Sequence, residues 1–324
     1  LPVIPAIICP SGKSHSRQQQ KFQRDAEINR WRNVQELYPR RHGYPVSIQI
    51  CNFNGKFVQQ TLSSMQNLRV TLIQTRLYWE DRTRNIRHIT SLLDQVKPGS
   101  TDLIILPEMF TSGFTMNATK VSDTMYGIGV VFMTMIAKEL KADVCGSLVI
   151  EERKKFYNRL VWVTKAGKIY YYDKRHLFRM ANEQKTYTAG NKKLHMKLKG
   201  WNICPMVCYD LRFPVWSRSD GSTDLMIFVA NWPARRRFAW NQLLIARAIE
   251  NQCYVAGVNR VGKDGNDIPY TGDSAVLDFM GSKISKTKAG RQSVETITLK
   301  REDLSSYRKA FPVFRDADLF TIIA

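Results

Sequence analysis

The strongest constraint on this chain is a series of short apolar runs, each ended by a polar residue or a turn former. RVTLIQT (69–75), TDLIILP (101–107), DVCGSLVI (143–150), RLVWVT (159–164), KIYYYDK (168–174), NICPMVCYD (202–210) and DLMIFVANW (224–232) are rich in β-branched and aromatic residues. Runs of this length and composition read as strands, several of them buried on both faces. CYVAGVNRV, DSAVLDF and SVETITL continue the series toward the C-terminus. Between them, Arg82–Val96, Gly129–Leu140 and Arg236–Glu250 read as helices, and Asp303–Lys309 reads as a short last helix. Turns at Glu151–Lys155 and Lys165–Gly167 predict two hairpins. Helix–strand alternation mixed with hairpins predicts a layered α/β (α+β) domain, with mixed sheets carrying helices on their outer faces.

Several classes are excluded at this point. No stretch approaches the roughly 18 apolar residues of a membrane span. With 44% hydrophobic residues, the 324-residue chain can bury a sizeable core, which argues against global disorder. Cys9, Cys51, Cys145, Cys204, Cys208 and Cys253 form no CxxC pair, and several lie inside apolar runs. That pattern predicts buried thiols in a reducing compartment, with a cytoplasmic location as the expectation. The five histidines are dispersed, so no zinc site is expected. A formal net charge of +21 raises the question of a nucleic-acid partner. No binding module and no basic stretch interleaved with aromatics answers it, so neither nucleic acid nor membrane is expected as a partner.

Residues 1–64 differ from the rest. They carry nine Lys/Arg against three Asp/Glu, a net +6, and show little sustained periodicity. They read as a basic N-terminal extension outside the main domain, which spans 65–324. The strand pattern begins directly after Met65, which is the expected native start. If the extension is a genuine leader, it admits a mitochondrial or plastid location. SGKS at 11–14 is not a phosphate loop, because Ile7 stands where that motif needs glycine.

Three polar residues close buried runs: Glu108 in LIILPEMF, Lys174 in IYYYDKRHLF and Cys208 in NICPMVCYD. Strand ends on one edge of a sheet are where α/β enzymes place reacting groups. Converging there, a thiol, a carboxylate and an ammonium would supply a nucleophile, a proton carrier and an oxyanion stabiliser.

LPEMFTSGF, YDKRHLF and VCYDLRFPVWSR, in this order and spacing, resemble the glutamate, lysine and cysteine motifs of the nitrilase, or carbon–nitrogen hydrolase, superfamily. The resemblance runs from about Leu68 to the C-terminus. RMANEQKTYTAGN makes it most similar to the omega-amidase branch. The resemblance implies a four-layer α-β-β-α sandwich, a homodimer or larger assembly, and amide hydrolysis through a thioester with no metal and no organic cofactor. It makes Cys208 the nucleophile, Glu108 the general base and Lys174 the oxyanion donor, helped by the backbone N–H of Tyr209. Glu183 matches a second glutamate near the lysine. The implied substrates are small omega-amides of dicarboxylic 2-oxo acids such as 2-oxoglutaramate. Arg212 is the first candidate for their far carboxylate, with an ion pair to Asp210 or another carboxylate as its structural alternative. The Arg235–Arg237 triplet reads as a solvated helix face. Phe114, Tyr209 and Trp232 are candidates for the pocket wall. If Pro214 opens a helix, its N-terminus would lower the Cys208 pKa. Nitrile or N-carbamoyl hydrolysis remain open alternatives, as does, from another class, a basic nucleic-acid-binding protein.

Overall fold

The computed structural model describes residues 49–51, 57–59, 66–318 and 320–322. Two compact units divide between Ser64 and Met65. In the first, β1 (Gln49–Cys51) pairs antiparallel with β2 (Phe57–Gln59). The expected leader and the start at Met65 otherwise lie outside the described residues.

The second unit holds two main sheets. Six strands run in the order β15-β3-β4-β5-β6-β7: Ser293–Leu299, Leu68–Gln74, Leu103–Ile105, Asp143–Glu152, Lys155–Val163 and Ile169–Asp173. Five run in the order β14-β11-β10-β9-β8: Ala275–Leu277, Tyr254–Asn259, Leu225–Ala230, Trp201–Val207 and Met196–Leu198. β12 (Val261–Lys263) and β13 (Pro269–Thr271) form a separate ribbon. The centres of both sheets are parallel, β3-β4-β5 and β9-β10-β11, and the outer strands are antiparallel. Both expected hairpins form. The first turns through Arg153 and Lys154 at φ 50° and 61°, and the second through Gly167 at φ 83°.

The period-2 alternation of a strand explains the layering. In β4 and its continuation, Leu103 and Ile105 enter the core between the sheets, while Ile104 and Leu106 enter a second core on the outer face. In β6, Leu160 and Trp162 point inward, and Val161 and Val163 point outward. The outer core is covered by α1 (Arg82–Leu93), through Ile89 and Leu93, and by α2 (Ile128–Leu140), through Val130, Met133, Ile136 and Ala137. On the far side, α3 (Arg237–Glu250) sets Trp240, Leu244 and Ala248 against the five-stranded sheet. The result is the four-layer α-β-β-α sandwich. A last helix, α4 (Arg301–Ala310), contributes Leu304 to the apolar core around the five-stranded sheet. Among the described residues, no helix is long and apolar enough to cross a membrane.

Three short elements have no strong sequence signal. β8 is three residues long, and the helices Ala118–Val121 and Glu183–Thr186 are single turns. A single turn gains little from its own hydrogen bonds and forms where tertiary packing holds it.

Candidate active site

Glu108 follows β4, Lys174 follows β7 and Cys208 follows β9, so the chain brings all three to one place from both sheets. Side-chain burial is nearly complete: Glu108 is 0% exposed, Lys174 1%, Glu183 0% and Cys208 8%. Lys174 Nζ lies 2.9 Å from Glu108 Oε1 and 3.0 Å from each oxygen of Glu183. Groups buried this deeply need partners within the protein, and Lys174 pairs with both Glu108 and Glu183.

The backbone bends sharply at these positions. Met109, after Glu108, has φ 43°; Cys208 itself has φ 44°; Asn182, before Glu183, has φ 57°. Left-handed conformations in residues with a Cβ are costly and persist where the surroundings over-determine them. At Cys208 the clamp is Asp210. Its Oδ2 accepts from Tyr172 Oη at 2.7 Å and from the Val207 N–H at 3.1 Å. Its Oδ1 accepts from the His176 N–H at 3.0 Å and lies 2.8 Å from His176 Nδ1. Trp216 Nε1 in turn donates to Tyr172 Oη at 3.0 Å. Asp210 is thus used to hold the turn, and the alternative ion pair with Arg212 does not form.

Burial pulls the Lys174 ammonium toward neutrality, but the Glu108 and Glu183 carboxylates, with Cys208, outweigh it and hold the charge firmly. Burial pushes the Glu183 carboxyl up; Lys174 opposes this and Glu108 adds to it. The Cys208 thiol is pushed well above the usual thiol range, first by burial and then by Glu108, with Lys174 opposing. This overturns the expected lowering by a helix N-terminus. The residues after Cys208 form a 3₁₀ turn, Cys208–Arg212, and Pro214–Ser217 is a single helical turn. One turn carries a weak dipole, and burial beside a carboxylate dominates it. The other described cysteines are also buried, with Cys204 pushed up to about 11 and Cys253 to about 12.

Above these groups opens a cavity of about 510 Å³, with Lys174 and Cys208 on its surface. Phe114, Tyr209 and Trp232 wall it, as expected. The Phe114 ring centroid lies 5.2 Å from Lys174 Nζ, and the Arg212 guanidinium sits 4.9 Å over the Trp232 ring. The arginine triplet divides: Arg235 and Arg237 are exposed, as expected of a solvated face, and Arg236 is half-buried, but two of the three also reach the cavity. Arg235 and Arg236 line the cavity, and only Arg237 turns away, to Asp273 at 2.6 Å. Like charges on Arg235 and Arg212 add to burial in lowering the Arg236 pKa. Arg235 and Arg236 close a short 3₁₀ turn, Ala234–Arg236, whereas Arg237 is the first residue of α3.

Sequence reasoning missed Asn158, Ser147 and Asn231. Asn158 Nδ2 donates to Glu108 Oε1 at 2.8 Å and to Glu183 Oε1 at 3.1 Å. Ser147 Oγ donates to Asn158 Oδ1 at 2.9 Å and accepts from the Met109 N–H at 2.8 Å. The Asn231 N–H donates to Glu108 Oε2 at 2.7 Å. The available signal was an uncharged polar residue within a strand run, Asn158 in KFYNRLVWV and Ser147 in DVCGSLVI, and one closing LMIFVAN. A strand buried on both faces admits such a residue only with a partner.

The layering and the strand-end cluster together define a class. The carbon–nitrogen hydrolase family model matches residues 69–309, and the chain belongs to that family: it is a carbon–nitrogen hydrolase. Among individual proteins, it is 45% identical over 258 residues to the omega-amidase YafV of Escherichia coli, covering 80% of this chain and all of that one. It is 28% identical to the 2-oxoglutaramate amidase of Bacillus subtilis, covering 76% and 96%. A crystal structure of a CN-hydrolase superfamily protein from Xanthomonas campestris, which carries an arsenic adduct in its active site, superposes with a TM-score of 0.77 at 44% identity. It covers 80% of this chain and all of that one.

Proposed function

We propose that this enzyme hydrolyses small omega-amides of dicarboxylic 2-oxo acids, such as 2-oxoglutaramate, releasing ammonia through a thioester on Cys208. The observation that carries this reading is the arrangement of one cavity. Cys208 and Lys174 sit on its surface with Glu108 directly behind, and Arg212, Arg235 and Arg236 line it as well. A substrate with a reactive amide at one end and a carboxylate at the other fits that polarity. The names of the similar proteins support the same substrate class.

Glu108 takes the thiol proton as Cys208 attacks the amide carbon, so the high resting pKa of the thiol is no obstacle. The developing oxyanion is met by the Lys174 ammonium and by the Tyr209 N–H, which stands in the first turn of a 3₁₀ helix where N–H groups lack intrahelical partners. Protonated Glu108 then passes its proton to the departing nitrogen, which leaves as ammonia. Glu108 next activates water against the thioester, and the acid is released. Glu183 keeps Lys174 charged and in place.

An ammonia-release screen over 2-oxo-acid amides, glutamine, asparagine, N-carbamoyl compounds and simple nitriles tests the reading, with C208A as the blank. Preference for a nitrile or an N-carbamoyl compound overturns the substrate class. Full ammonia release by C208A overturns the mechanism. The homodimer is part of the same proposal, and sedimentation of the purified protein tests it.

A further inference from the structure

Two carboxylates and one ammonium leave the buried cluster of Glu108, Glu183 and Lys174 one negative charge in excess when all are ionised. Like charges at such a distance favour uptake of a proton, which would disable the base. One neutral group contacts both carboxylates: the amide nitrogen of Asn158, with its two N–H bonds available for Oε1 of Glu108 and Oε1 of Glu183. Asn158 is 0% exposed and stands behind the cavity wall rather than on it.

The orientation of that amide is set from its other end. The Met109 N–H occupies Ser147 Oγ as an acceptor, which leaves the single Ser147 hydroxyl proton for Asn158 Oδ1. The amide oxygen is thereby held toward Ser147 and the NH₂ toward the carboxylates. A flip would place an oxygen against two carboxylate oxygens. Ser147 and Asn158 lie on the neighbouring strands β5 and β6, so the strut is built into the sheet.

We propose that Asn158 is a positioning residue of the reaction, which holds the Glu108 carboxylate by its Oε1 and leaves Oε2 as the atom that exchanges the proton with Cys208. Oε1 of Glu108 already accepts from Lys174 Nζ and Asn158 Nδ2, which fills its two lone pairs. Oε2 accepts the Asn231 N–H, which leaves one lone pair for the Cys208 thiol that hydrogen-bonds this carboxylate. The proton passes from Sγ to Oε2 while the electron pair stays on sulfur for attack. It later passes from Oε2 to the departing nitrogen. The titratable groups facing Glu108 are Lys174, Glu183, Cys208 and Tyr187.

This inference rests on the reading of Cys208 and Glu108 as nucleophile and base, and its test has one arm that needs no substrate. Iodoacetamide alkylation of Cys208, followed against pH by peptide mass spectrometry, is compared between the natural protein and Asn158→Ala. Loss of one charge-assisted hydrogen bond moves the acid limb of the rate up by about one pH unit. In the second arm, with the best amide of the screen, kcat falls about 10–100-fold with the same displaced limb while KM stays within about twofold. If Asn158→Ala does not fold, Ser147→Ala keeps the test, with a smaller shift in the same direction. An unchanged limb in the variant that folds overturns the proposal, even if the reactive fraction is lower at every pH, since that is what a merely structural role gives. If no amide is turned over, the substrate reading fails while the alkylation profile still decides the role of Asn158.

Discussion

Asn231 and Glu108 hold each other twice: the Asn231 N–H donates to Glu108 Oε2 at 2.7 Å, and Asn231 Nδ2 donates to the Glu108 carbonyl at 2.6 Å. Glu108 follows β4 of the six-stranded sheet, and Asn231 follows β10 of the five-stranded sheet. The two sheets are therefore tied together at the base itself. Any slip of one layer against the other would move the carboxylate relative to Cys208, and a displacement of about 1 Å is enough to cost roughly 10²-fold in rate.

Lys174→Ala should remove turnover by at least about 10²–10³-fold, because an oxyanion donor is lost. It should also destabilise the fold by about 3–5 kcal/mol, because Glu108 and Glu183 remain buried without their cation. With Lys174 gone, nothing offsets the burial that already pushes the Glu183 carboxyl up, so it binds a proton more tightly in the folded than in the unfolded chain. Stability of the variant should then rise as pH falls from 7 toward 5, and thermal melts across that range check it. Lys174→Arg should not rescue activity, since a planar fork does not replace a point charge that serves three oxygens.

Arg212→Ala and Arg236→Ala should each lower kcat/KM for amides bearing a far carboxylate by about 10–100-fold, the worth of one charged hydrogen bond. Simple amides without the carboxylate should be affected much less. Kinetics with a matched pair, one substrate with and one without the acid, makes the comparison. Equal losses on both would remove these arginines from substrate recognition.

Gly146→Ala should damage stability and activity together. A Cβ at Gly146 would stand 2.7 Å from Leu106 Cβ and 3.2 Å from Phe110 Cδ1, which flank Glu108 on either side. Forcing the segment outward costs about 1–3 kcal/mol and shifts the base. A reduced Tm with a reduced kcat is the expected pair of results.

Asp102 governs part of the acid stability. Burial works to raise its pKa, but the Arg69 side chain and backbone N–H, with Lys199, bring it down to about 2. A carboxyl depressed on folding contributes stability above its unfolded pKa of roughly 4, and the contribution fades as pH falls toward 2. Asp102→Asn should lower Tm by roughly 2–4 °C at pH 7 and leave it unchanged near pH 2.

Much of the architecture was legible in the order of residues. Glu108, Lys174 and Cys208 could be picked out because each closes an apolar run, and a strand end is a local feature. The helices Arg82–Leu93, Ile128–Leu140 and Arg237–Glu250 were visible for the same reason, since amphipathic spacing is written within about a dozen residues. The direction of the Cys208 shift was not legible. It depends on how much water the fold excludes and on Glu108 arriving from 100 residues away.

The sequence by itself determined which groups end the strands, the layered class that follows from strand and helix periods, and the family to which the motifs point. Only the tertiary structure decided that Asp210 clamps the turn at Cys208 instead of pairing with Arg212, that Arg235 and Arg236 face the cavity while Arg237 does not, and that Asn158 joins two glutamates. The physical reason is range. Periodicity and turn chemistry act over a few neighbours, whereas the partner of a buried polar atom is chosen by whichever distant group the packed sheets bring within about 3 Å of it.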